Sequence, residues 1–65
     1  MDEATQARID NAIAVERAKL QRLLLHEVGE EFEQAFGIRP DARGGKDDLI
    51  ERILAKARAA LERNA

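Results

Sequence analysis

Apolar residues fall on three helical stripes along this chain. Ile9, Ile13, Leu20 and Leu24 share one narrow face at about 100° per residue, with Leu23 at its edge. The stripe is interrupted by Glu16 and Arg17, and its period is close to that of a coiled-coil seam. Leu25, Val28, Phe32 and Phe36 continue at helical spacing, but their face is turned by roughly a quarter of a circle or more. Ile50, Ile53, Leu54, Ala57 and Leu61 repeat at i, i+3, i+4, i+7 and i+11, and Leu49 widens that stripe on one side.

Between the second and third stripes the chain changes character. Three glycines and the only proline lie within residues 37–45. Gly37 stands where a helix C-cap glycine belongs, and Ile38 is placed to close the cap with an apolar contact. Arg39 precedes Pro40 and is pushed toward extended backbone. Asp47 and Asp48 favour a helix N-terminus, and Arg58 and Arg63 favour its C-terminal end. Asp2 is a suitable N-cap at the other end of the chain.

These signals predict an all-α protein. A long amphipathic helix runs over about 3–36, followed by an ordered Gly/Pro loop and a second amphipathic helix to about residue 63. Gly29 is the alternative place for a kink or break, since glycine costs about 1 kcal/mol against alanine inside a helix. The faces carrying Phe32 and Ile53 are expected to pack together, with Ile38 filling the corner. The stripe Ile9, Ile13, Leu20, Leu24 is then left without a partner unless the second helix folds back along it. A second copy is its simplest cover, which makes a helical dimer the expected assembly.

Composition narrows the picture. Sixty-five residues make one domain, 1–65, and a chain of that size buries only about 60% of its unfolded surface. Small domains are usually reinforced, and without cysteine a disulfide is excluded. One histidine and no cysteine make a zinc site unexpected, and no cofactor or metal ligand set stands out. His26 falls away from both apolar stripes and reads as a surface residue. No apolar run approaches the roughly 20 residues that cross a bilayer, and residues 1–8 do not resemble a secretory signal, so a cytoplasmic protein without membrane attachment is expected.

The net charge of −2 argues against a generic polyanion binder. The charges are nonetheless uneven. Residues 1–36 hold four cations against eight carboxylates, and residues 37–65 hold seven cations against five carboxylates. The acidic run Glu27, Glu30, Glu31, Glu33 reads as a solvated helix face. Enzyme chemistry is not expected. Ser, Cys, Tyr and Trp are absent, no phosphate-binding loop is present, and two helices leave little room for an enclosed pocket.

The residues Phe32, Phe36, Gly37, Ile38, Gly45, Lys46, Leu49, Ile50, Arg52 and Ile53 carry a resemblance. The run Gly44-Gly45-Lys46-Asp47-Asp48-Leu49-Ile50-Glu51-Arg52 resembles the G-x-K-x-x-L-I-x-R pattern of SAP modules and related helix-extended-helix units, with the Rho N-terminal domain a near neighbour. The likeness implies such a unit over 25–63. The loop from Ile38 to Gly45 is longer than is common in that family, and the first helix is longer and more acidic. SAP modules bind DNA, and relatives bind RNA or other proteins, so the resemblance implies a fold more firmly than a ligand.

Two functions follow as expectations. In the first, Arg39, Arg43, Lys46, Arg52 and Lys56 contact a DNA or RNA backbone, and the protein is a small nucleic-acid-associated accessory or regulatory factor. The competing reading of those cations is a solvated face with local ion pairs such as Asp48 with Arg52. In the second, the protein is an adaptor or regulator whose stripe Ile9, Ile13, Leu20, Leu24 binds a protein partner or a second copy.

Overall fold

A computed structural model describes residues 1–65, apart from the side chain of Ala42. It is all-helical: α1 (Glu3–Gln21), α2 (Leu25–Phe36), a one-turn 3₁₀ segment (Ala42–Gly44) and α3 (Gly45–Arg63). Each start has a local cause. Asp2 accepts a hydrogen bond from the Thr5 N–H at 2.7 Å and caps α1. Glu27 reaches back to accept from the Leu24 N–H at 2.8 Å and fixes the start of α2.

The single helix expected over about 3–36 is two helices. The break falls at Arg22–Leu24, not at Gly29, which lies inside α2 beside Pro40. The cause is the phase of the apolar residues. In one straight helix Ile9 and Phe32 point about 140° apart, more than the roughly 100° stripe that faces one neighbour. Breaking the helix resets the phase. Leu20, Val28 and Phe32 then enter one core with Ile9, Ile13, Leu49, Ile50, Ile53 and Leu54.

α3 packs against both other helices. α1 runs antiparallel to it, since Asp10 meets Arg58, Arg17 meets Glu51 and Gln21 meets Lys46. α2 runs parallel to α3. Its beginning follows Gln21, which touches Lys46, and its end carries Ala35, whose carbonyl accepts from Lys56. The segment 37–44 returns the chain to the start of α3. The two 19-residue helices are therefore accompanied by a third of only 12 residues.

Three expectations about packing are corrected. Ile9, Ile13 and Leu20 are buried within the chain, because α3 does fold back along α1. The reason for expecting a second copy on that stripe goes with this. Leu24 leaves the stripe altogether, because it sits in extended backbone at the α2 N-cap and is 64% exposed. Ile38 does not fill the corner. Gly37 at φ 74° turns the chain outward and leaves Ile38 64% exposed, while Pro40 packs against α2.

The paired glycines have separate reasons. Gly45 adopts φ 76°, which a residue with a Cβ rarely does. At Gly44 a Cβ would lie 2.5 Å from Asp48 Cβ, a contact that only backbone movement relieves. Gly44→Ala and Gly45→Ala are each expected to cost about 1 kcal/mol or more in urea unfolding. Leu20→Ala should cost about 2–5 kcal/mol, whereas Leu24→Ala should stay within about 0.5 kcal/mol. Equal costs at the two leucines would restore the continuous stripe.

Two carboxylates link stability to pH. The Thr5 hydroxyl and amide hold Asp2 below its ordinary pKa of 3.8, and hydrogen bonds from Arg58 and Gln6 do the same for Asp10. A depressed folded pKa gives stability that is present above the unfolded value and lost as pH falls through the folded value. The midpoint of thermal unfolding is expected to fall as pH drops below about 4, with a shallower fall in Asp2→Asn/Asp10→Asn.

Candidate functional site

The five cations expected to meet nucleic acid do not form one patch. Lys46 lies at the first turn of α3 and donates from Nζ to the Gln21 carbonyl at 2.6 Å, at the C-terminal end of α1. Lys56, nearly three turns further on, donates to the Ala35 carbonyl at the C-terminal end of α2. Its ammonium also sits 4.8 Å from the centre of the Phe36 ring. Phe36 in turn stacks on Phe32 at 4.3 Å between centroids. Both lysines thus satisfy carbonyls that a helix end leaves without partners, at the negative pole of its dipole.

The three arginines divide as well. Arg52 Nε lies 3.1 Å from Asp48 Oδ2 as an i, i+4 ion pair, although out of line for a hydrogen bond. Arg43 is 3.7 Å from Asp41 and its side chain is 92% exposed. Arg39 is exposed on the returning segment. Arg39 and Arg43 therefore stand nearest to a free pair. Arg43 borders the start of α3, where no side chain among the described residues hydrogen-bonds the first amides. Asp47 and Asp48 are acidic neighbours there and do not act as caps.

Arg17 pairs with Glu51 and Arg58 with Asp10 along one side of the α1–α3 pair. These contacts are exposed, and solvent screening leaves such surface pairs to orient more than they stabilise. His26 is exposed at the first turn of α2. Among the described residues no helix is long and apolar enough to cross a membrane.

The opposite side of the α1–α3 pair holds a feature that the stripes do not announce. Beyond the end of α2 the two long helices run on without a third to cover them. They enclose an open groove of about 390 Å³ lined by Ala12, Ile13 and Glu16 of α1 and by Ile53, Ala57, Ala60, Leu61 and Asn64 at the α3 side. A smaller extension of about 220 Å³ continues it past Ile9, Arg8 and Thr5. The walls are mainly small or branched apolar side chains. Sequence reasoning missed the groove because it placed α1 on a second copy. The signal was present as Ala12, Ala57 and Ala60, small residues beside an apolar stripe.

Comparison with protein-family models, with curated proteins and with solved structures finds no match for this chain. The SAP likeness thus rests on the motif quoted above. The arrangement of α2, a returning segment and α3 is a finding of its own.

The lysine caps are open to direct measurement. Lys46→Met and Lys56→Met are each expected to lower stability by about 0.3–1 kcal/mol, while Arg39→Ser leaves it within about 0.5 kcal/mol. Chemical denaturation followed by circular dichroism separates the two classes.

Proposed function

We propose that this chain is a small non-enzymatic protein-interaction module. It holds a partner helix in the groove between α1 and α3. The observation that carries the reading is the unequal length of the three helices, which leaves an apolar groove with an alanine-rich floor where a third helix would lie. Helix-in-groove docking uses such sites, because large side chains of the incoming helix fill space above small ones. The adaptor expected from the sequence is kept, but its surface changes. Ile13, with Ile9 in the extension, lines the groove, whereas Leu20 is buried in the core away from it and Leu24 is outside it. With its apolar stripe covered from within, the chain acts as a monomer that recruits a different protein.

A second reading is favoured by one observation, the exposure of Arg39 and Arg43, with Arg43 beside the uncapped start of α3. Those groups suit a phosphate backbone, as the SAP likeness implies. Lys46, Arg52 and Lys56 already serve internal contacts, so this surface is smaller than the five-cation cluster.

The two readings separate in one experiment. Backbone amide shifts are followed while a neutral leucine-rich amphipathic peptide, and separately a DNA or RNA oligonucleotide, is added to the full chain. The expected outcome is peptide-induced shifts centred on Ala12, Ala57 and Ala60, abolished by Ala60→Trp. Shifts confined to residues 39–46 on adding oligonucleotide, weakening steeply with salt, would sink the adaptor reading and support the other.

A further inference from the structure

We infer that the partner is an acidic amphipathic helix, a deepening that rests on the groove reading above. The argument is electrostatic. Arg8 lines the extended end of the groove. By helical register Ala12, Val15 and Lys19 follow it along the same side of α1 at i+4, i+7 and i+11. On α3, Lys56, Ala59 and Arg63 form a matching outer row at i, i+3 and i+7, just outside Ile53, Ala57 and Ala60. The apolar floor therefore has one cation on each edge, Arg8 on α1 and Arg63 on α3, while Lys19 lies beyond the end of the lining and Lys56 is engaged with the Ala35 carbonyl and the Phe36 ring. Glu16 is the one acidic side chain among the described lining residues, and Ala65 with its terminal carboxylate stands at the far end of the extension.

The floor sets the rest of the ligand. Ala12, Ala57 and Ala60 let a helix approach closely, and Ile13, Ile53 and Leu61 offer branched surface to its large side chains. The lining runs from Thr5 to Glu16 on α1 and from Ile53 to Asn64 at the α3 end, which at 1.5 Å per residue is about 16 Å, or three helical turns. The fitting partner carries Leu, Ile or Phe on one face over about three turns, with Asp or Glu on both flanks. Glu16 provides a place for one cation within that pattern.

A second copy of this chain fits poorly. Its acidic helix, α2, already turns Val28 and Phe32 into its own core, and the outer face carrying Glu30, Glu33 and Gln34 is polar. Two copies joined groove to groove would bring Arg8 and Arg63 of each together, and like charges facing each other oppose association.

The test uses three synthetic helical peptides of about 16 residues with identical leucine positions and Glu, Gln or Lys on the flanks. Each is labelled and titrated with the full chain by fluorescence anisotropy, at low salt and at about 0.3 M salt. The acidic peptide is expected to bind about tenfold or more tighter than the basic one, with the gap narrowing at high salt. Arg8→Glu/Arg63→Glu should shrink or reverse the preference, and both residues are peripheral enough for the fold to persist, which circular dichroism verifies. Ala60→Trp should abolish binding of all three. Equal binding of all peptides, or preference for the basic one, overturns the acidic partner while leaving the groove reading in place. No binding by any peptide, or binding that survives Ala60→Trp, overturns both.

Discussion

Ile50, Ile53 and Leu54 give α3 an apolar face too wide for one neighbouring helix to cover. Two helices share it. α1 lies along it antiparallel and α2 lies along its first half in parallel, so nearly every buried side chain touches α3 or stands one layer from it. Burying each large aliphatic or aromatic side chain is worth about 1.5–3 kcal/mol, and in a chain this short only a shared face collects enough of them. The break at Arg22–Leu24, the capping by Glu27 and the return through Gly37 and Pro40 are what the backbone does to bring two stripes of different phase onto that face.

The same constraint decides what the lysines do. Breaking the first helix and ending α2 at Phe36 leaves two sets of helix-end carbonyls close to α3. Lys46 and Lys56 stand 10 positions apart on α3 and reach Gln21 and Ala35. Counted from sequence they are members of a basic cluster. Placed in the fold they hold the far ends of α1 and α2 against α3. A cation committed to a carbonyl can still attract phosphate, but it gives up a structural contact to do so, which lowers its value as a binding group.

Much of this was legible from the residues. The helical content, the Asp2 cap, the Gly37 cap and the pairing of Phe32 with Ile53 follow from spacing and local chemistry. The turn of the apolar face between Leu24 and Leu25 was visible too, but its meaning was not. A phase change marks either two partners for one helix or two helices for one partner, and only tertiary packing chooses. Gly29 attracted the break because glycine is a weak helix former, yet the phase change lies four residues earlier, where no residue signals a stop. Ile38 failed for a related reason. An αL glycine fixes that the chain turns, not which side the following residue faces. Of the candidate cations, Lys46 and Lys56 have carbonyls as partners, which leave no trace in composition, whereas the Asp48–Arg52 pair was legible from its i, i+4 spacing.

Unequal helix lengths then connect the fold to its proposed use. α2 stops after 12 residues, and the chain spends the next eight returning to α3. Had α2 continued for two more turns, its apolar face would have covered Ala57 and Ala60 and closed a three-helix bundle. The alanines there are too small to close the gap themselves, and the cations on both edges do not favour closing it with another copy. On the proposed reading an acidic helix supplies both missing quantities, apolar volume and compensating charge. On that reading the groove is the position in the bundle whose walls this chain builds and whose third helix a partner provides.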